Sequence, residues 1–302
     1  MTFQRAVQFA TVLALAVAVG SCIEATGPSA RLSEPKVVFV STRDGNEEIY
    51  AINSDGTNET RLTSSPGRDY RPVWSPDGRS IVFVSERSGN KDIWIMNADG
   101  TGVRNLTQNP LSDDAPSWSP DGSRVVFSSN RTGNFEIFVT NSSAGDTTTI
   151  LTDHFATDTY PWFSPDGRYI AFQADRNSVN DDIYVLFNTR NTILRWTSAG
   201  GADQFPAWSP EGTKIAFTSF RDGNFEIYVG DFSDGLPLGF GQVNLTNNPA
   251  GDARPSWSFN ATKICWTSNR SGNNDIWIMN ADGTNPIRLT KDASADDFCS
   301  MK

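Results

Sequence analysis

A single histidine, His154, stands in the whole chain of 302 residues. No multi-histidine zinc site can form, and a His-based triad would need that one imidazole to lie beside a nucleophile. Acids are frequent enough to supply a carboxylate pair for glycoside hydrolysis, but nothing singles a pair out. What does recur is a set of acids and a set of bases. Asp69, Asp113, Asp158, Asp203, Asp252 and Asp296 return at a nearly constant interval, and Arg43, Arg87, Arg131, Arg176, Arg221 and Arg270 return with them. Gathered round one opening, six carboxylates attract a cation such as Ca2+ or a basic peptide. Set against the arginines, they form ion pairs that fix loops. Pairing is the preferred reading, because six unpaired carboxylates at one mouth repel one another. Asp55, Asp99 and Asp282, in xDG turns, lack the further spaced acids and closing Glu of a calcium loop, so turn formation accounts for them. No cofactor is expected, Ca2+ at the acid ring being the one candidate.

These residues are positioned by a repeat. The aromatic of PxWSPDG falls at Trp74, Trp118, Phe163, Trp208 and Trp257, at intervals of 44, 45, 45 and 49 residues, and one further interval of 44 reaches Met301. DDFCSM therefore aligns with DDAPSW as a degenerate sixth copy. Each copy holds four short segments rich in β-branched and aromatic residues, A (PxWS), B (IAFxS), C (EIYxxN) and D (RLT), too short for helices. SPDG and NADGT supply the turn chemistry between them. The content of 24 Gly and 16 Pro fits so many turns. The repeats open with B, C and D at Val37 to Thr63 and end with A at Phe298 to Met301. That permutation suits a closed ring, in which the last A strand pairs with the first B strand and removes two exposed edges. The expected fold is all-β: a six-bladed β-propeller of four-stranded antiparallel blades, over residues 35–302, with A innermost.

In that frame the SPDG turn places Trp74 opposite about Ile81, which brings Asp69 near Glu86 and Arg87. Residues that every copy keeps are explained by the blade's own folding, so specific function is expected where copies differ. Three positions before the aromatic the series runs Arg71, Ala115, Tyr160, Phe205, Arg254 and Phe298, and Tyr70, His154 and Phe155 lie in the same D-to-A connections. Tyr70, Arg71, His154, Phe155, Tyr160, Phe205, Arg254 and Phe298 are the expected partner-binding rim, because such side chains dominate binding hot spots. The alternative is that they pack between adjacent loops. Two outer C-to-D connections also depart from the pattern, in NSVNDDIYVLFNTRNTILRW and around DGLPLGFGQ.

The formal net charge of −10 and the lack of a Lys/Arg cluster argue against a nucleic-acid partner. At the N-terminus one Arg precedes the apolar run ATVLALAVAV, about half the length that crosses a bilayer. VGSC resembles the bacterial lipobox, which implies a signal peptide over 1–21, diacylation of Cys22 and a polar tether over 22–34; an ordinary secretory signal with Cys22 incidental is the alternative. Contact with the membrane is then expected only through the lipid. Cys265 and Cys299 are either a disulfide or two buried thiols in an oxidising compartment.

The unit SxRxGNxEIYxxNxDGTxxxRLTxxxxDxxPxWSPDG resembles the WD40-like repeat of the TolB-like propeller family, over about residues 35 to 302. The resemblance implies the propeller fold and a place in the bacterial envelope. TolB-like chains carry an N-terminal domain that engages other Tol proteins, and here only the tether precedes the propeller. The expected function is a non-catalytic platform for an envelope protein or peptide. The protein is expected to be a monomer, lipid-anchored on the periplasmic side of the outer membrane or at the cell surface. The alternative is a carbohydrate-binding protein or carbohydrate-active enzyme using acids and aromatics at the channel mouth.

Overall fold

The structure, a computed structural model, describes residues 36–143, 147–177, 180–234 and 239–302. The expected signal segment, Cys22 and the tether lie outside them. All regular elements among the described residues are strands. The first copy supplies β1 (Lys36–Ser41), β2 (Glu48–Asn53) and β3 (Thr60–Arg61). Blade 2 is β4 (Asp69–Trp74), β5 (Ser80–Ser85), β6 (Asp92–Asn97) and β7 (Arg104–Asn105). Blade 3 is β8 (Asp113–Trp118), β9 (Arg124–Ser129), β10 (Glu136–Asn141) and β11 (Thr149–Ile150). Blade 4 is β12 (Asp158–Phe163), β13 (Tyr169–Ala174), β14 (Asp182–Phe187) and β15 (Thr192–Arg195). Blade 5 is β16 (Asp203–Trp208), β17 (Lys214–Ser219), β18 (Glu226–Asp231) and β19 (Val243–Asn244). Blade 6 is β20 (Asp252–Trp257), β21 (Lys263–Ser268), β22 (Asp275–Asn280) and β23 (Ile287–Arg288). The last strand, β24 (Asp296–Met301), pairs with β1 and completes blade 1 in the order β24-β1-β2-β3.

The fold is thus a six-bladed β-propeller, every blade a four-stranded antiparallel sheet closed from both ends of the repeat array. Both faces of each blade are covered, which is why the B segments read as continuous apolar runs rather than alternating ones. Six apolar clusters lie between successive blades: Val82, Ile93 and Leu106 of blade 2 meet Trp118 and Phe127 of blade 3, and Val37 and Phe39 of blade 1 meet Ile276 and Leu289 of blade 6. Phe39, Phe83, Phe127, Phe172, Phe217 and Trp266, one per B strand, are fully buried in them. Blade-to-blade bonds add to this packing. The indole nitrogens of Trp118 and Trp257 donate to the carbonyls of Val73 and Ala207 in the preceding blades, at 3.1 and 3.2 Å.

The outermost strands are mostly two residues long and need side-chain help. In every blade a threonine of the D segment accepts from the backbone N–H of strand C: Thr63 from Ile49, Thr107 from Ile93, Thr152 from Ile137, Thr197 from Ile183, Thr246 from Ile227 and Thr290 from Ile276, all at 2.9 to 3.0 Å. The Thr63 and Thr152 hydroxyls then donate to the buried carboxylates of Glu48 and Glu136 at 2.6 Å. Cys265 of β21 and Cys299 of β24 form a disulfide. It joins blade 6 to the strand that closes blade 1.

Candidate functional site

The A strands carry a bulge at the same place in every blade. In blade 2, Asp69 and Tyr70 pair with Ser85 and Val84, and Val73 and Trp74 pair with Val82 and Ile81, so Arg71 and Pro72 together face one residue. The expected Trp74–Ile81 register is therefore observed. The same shift recurs in β8, β12, β16, β20 and β24. Proline follows the first bulged residue in five blades; lacking an N–H, it can give nothing to the neighbouring strand. The first bulged residue takes the left-handed conformation, with φ of 54° at Arg71, 51° at Ala115, 54° at Tyr160, 54° at Phe205, 59° at Arg254 and 50° at Phe298. Such values are uncommon for non-glycine residues and are held by the surrounding structure. Part of that hold is visible. The backbone N–H of Tyr160, Phe205 and Arg254 donates to Ser128, Gln173 and Thr218 of the preceding blade, at 3.2, 3.0 and 2.9 Å.

The bulge aims these side chains at the central channel, where they line a cavity of about 80 Å3 on the face carrying the D-to-A loops. Five of the six touch in a closed circuit. The Arg71 guanidinium lies 4.6 Å from the Tyr160 ring centroid, and Tyr160 meets Phe205 edge to face at 4.5 Å. Arg254 lies 5.0 Å from Phe205 and 4.3 Å from Phe298, and Arg71 closes the circuit 5.1 Å from Phe298. Ala115, the sixth, leaves the one gap. Below the circuit come Pro72, Pro116, Pro161, Pro206, Pro255 and Cys299, then a narrower tier to which Trp162 contributes the largest side chain. Trp162 and Val73 also line a second cavity, of about 320 Å3, walled by Trp74, Trp118, Trp208 and Trp257 towards the A-to-B turns. The indole thus stands between the two chambers.

Charge in the circuit is partly balanced. Arg71 donates to Asp114 and to the Tyr160 hydroxyl, and Arg254 donates through Nη1 to both Asp297 oxygens at 3.0 and 2.9 Å. Burial works against the charge on Arg71, but Asp114 and the two tyrosines raise its pKa above the ordinary value. Burial likewise raises that of Tyr160. The Nε atoms of Arg71 and Arg254 are buried with no hydrogen-bond partner. Asp114 and Asp297 were missed in the sequence reading, although the doubled acids of DDAP and DDFC, against DY, DT, DQ and DA elsewhere, carry the signal. Chemically the site can stack, and it can donate hydrogen bonds to an anion.

Three expected rim residues lie elsewhere. Tyr70 is buried in the cluster between blades 2 and 3, because the alternation of β4 turns it away from the channel. The His154 ring lies 4.1 Å from that of Phe155, tilted by 31°, and accepts from the Ala156 N–H through Nδ1 at 3.1 Å, in the loop before β12. Phe155 is 87% exposed there, outside the channel lining.

The six acids are paired with the arginines, as the preferred reading has it, and the pairs lie inside the blades rather than at the channel mouth. Asp69, Asp113, Asp158, Asp203, Asp252 and Asp296 have no exposed surface. Each meets the arginine beyond its B strand: Asp69–Arg87 at 2.5 Å, Asp113–Arg131 at 3.0 Å, Asp158–Arg176, Asp203–Arg221 at 3.0 Å, Asp252–Arg270 at 2.5 Å and Asp296–Arg43 at 3.2 Å. Burial raises the pKa of Asp69, Asp113 and Asp158, against these partners, and pushes Asp296 up to about 6. In the xDG turns, the Thr57, Thr101 and Thr284 hydroxyls donate to Asp55, Asp99 and Asp282 at 2.6 Å and hold those carboxyls below their usual range.

The same architecture is found in known proteins. The family model described as the TolB beta propeller domain matches residues 105–184 and 197–300, and that of the Tricorn protease N-terminal beta propeller domain matches residues 28–140. The Tol-Pal system protein TolB of Desulfosudis oleivorans is 44% identical over 46 residues, which is 15% of this chain and 10% of that protein. The crystal structure of TolB from Acinetobacter baumannii superposes with a TM-score of 0.77 at 22% identity, over 88% of this chain and 66% of that one. An oligogalacturonate lyase in complex with manganese superposes with a TM-score of 0.59 at 14% identity, over 85% of this chain and 74% of that one, a likeness of fold. With the repeat, the bulged inner strands and the closing strand all in place, and the first of these models covering more than half its length, the chain belongs to the TolB beta propeller domain family.

Proposed function

We propose that this protein is an exported, lipid-anchored propeller of the bacterial envelope that serves as a non-catalytic platform for a protein or peptide partner. It works as a monomer, on the periplasmic side of the outer membrane or at the cell surface, and engages its partner on the D-to-A face. The observation that carries this reading is the circuit of Arg71, Tyr160, Phe205, Arg254 and Phe298, aromatic and arginine side chains gathered at one channel mouth although the blades that present them share one scaffold. Exposed Phe155 on the same face extends the apolar surface beyond the channel. The family relation and the Tol-Pal system protein among the matched relatives support an envelope setting.

The test is crosslinked affinity purification of the tagged full chain from its own envelope, with a Tyr160→Ala, Phe205→Ala variant in parallel. A partner captured by the parent chain and lost from a variant that melts cooperatively is the expected result. Capture that is unchanged in the variant would remove the D-to-A face from the reading.

A further inference from the structure

The partner's chemistry follows from the cavity, on the footing of the platform reading above. Its charged lining residues are Arg71 and Arg254, in a chain whose formal net charge is −10. The five prolines of its second tier have no N–H, so the wall offers an anion little besides the guanidinium edges and a few hydroxyls. Arg254 spends Nη1 on Asp297, and its buried Nε has no acceptor; the Nε–Nη2 edge is the two-pronged donor that matches a carboxylate. A buried donor without an acceptor is costly, so the site gains from any ligand that supplies one. Asp114 and Asp297 already balance much of the positive charge, which favours an anion of single charge over a phosphate dianion.

The shape selects further. Trp162 and Val73 stand between this cavity of about 80 Å3 and the second one, and its mouth is walled by five side chains in mutual contact, with the only small residue at Ala115. A chain cannot pass through, and an internal acidic residue would need room for two chain arms at that mouth. A chain end needs one. We infer that the D-to-A cavity is a receptor for the free C-terminal carboxylate of a peptide, bound by Arg254 and Arg71, with the last side chain apolar and set against the prolines.

The test is titration calorimetry of the full-length protein with N-acetyl-alanyl dipeptides ending in Leu, Ile, Val, Phe or Met, each as free acid and as amide. The best acid is expected to bind at least about tenfold more tightly than its amide, the scale of one charged hydrogen-bond pair. Arg254→Gln is expected to erase the difference, and Arg254→Lys to keep the charge but lose most of it. Equal binding of acid and amide, or no binding by either, overturns the inference. So does equal binding of N-acetyl-alanyl-aspartyl-leucine amide, whose carboxylate is internal. The acid-to-amide comparison needs no variant, so a poorly folded Arg254→Gln protein leaves it decisive. Failure of the two readings is separable. An envelope partner captured equally well by Arg254→Gln sinks the carboxylate site and leaves the platform standing, whereas acids that bind a protein without any envelope partner do the reverse.

Discussion

A carboxylate with no exposed surface depends on its partner, and the six Asp–Arg pairs make that dependence measurable. Arg176→Gln leaves Asp158 buried beside an uncharged amide and is expected to cost about 3 kcal/mol in urea denaturation. Arg168→Gln removes an exposed pair with Asp166, which solvent screens, and is expected to leave the unfolding midpoint nearly unchanged. Similar losses from both would show that burial is not what makes the first pair matter. Because their oxygens are already occupied, the six aspartates should give no calorimetric signal on Ca2+ titration, and a rise in melting temperature with Ca2+ would contradict that. Asp296 adds a pH dependence. Its carboxyl is pushed up from 3.8 to about 6 by burial, in spite of Ser41, Thr290 and Arg43. Between those values the folded chain keeps a proton that the unfolded chain has released. The stability Asp296 contributes is therefore full below about pH 4 and lost as the pH rises to 6. Asp296→Asn should flatten that slope, and parallel stability profiles for parent and variant would refute it. The pairing of acid with base was legible from the register, since the SPDG turn fixes Trp74 against Ile81 and hence Asp69 near Arg87. The bulge was not legible: it lies between Asp69 and Trp74 and turns the side chains of the intervening residues to the channel.

That bulge is the element on which the site depends. It converts a strand position that would otherwise pack between blades into one that faces the axis, at the cost of left-handed backbone in six non-glycine residues. Ala115→Gly should relieve strain by roughly as much as it loses in methyl burial and unfolded-state entropy, and so leave stability nearly unchanged. Ala171→Gly, in the buried and regular part of β13, has no such compensation and should cost about 1.5 kcal/mol. Equal costs at the two sites in chemical denaturation would mean that the bulge stores no strain. Strands A, B and C were readable from apolar periodicity and the turns between them. The D strands were readable only as a repeated RLT, and the work of the threonine, which holds two-residue strands to their neighbours, shows only once strand C is in place. Likewise the variation of Arg71, Tyr160, Phe205, Arg254 and Phe298 among copies marked them as a site, but their contact with one another depends on which blades face across the channel.

At the scale of the whole molecule, closure rests on β24 pairing with β1 and on the Cys265–Cys299 disulfide, which pins the closing strand to blade 6. The loop that this bond closes spans 34 residues, for which chain-entropy arguments give a stabilisation of about 4 kcal/mol. Cys299→Ser should lower the unfolding midpoint accordingly and make it insensitive to reductant. An unchanged midpoint would mean that strand pairing alone holds the ring. The permuted repeat, opening on B and ending on A, was sufficient to predict this closure; the disulfide was not, since the repeat places the two cysteines on neighbouring blades without fixing how closely their side chains approach.

The same closure sets a schedule. Thr42 and Ala295, hydrogen-bonded across the seam, are 253 positions apart. At a synthesis rate of about 5 to 20 residues per second, β1 would wait roughly 10 to 50 s for the strand that covers its inner edge. Throughout that interval its unpaired backbone is a template for any other nascent chain. The first blade to be made is the last to be finished, so its completion depends on β1 staying unpaired with other chains while the rest of the ring is synthesised.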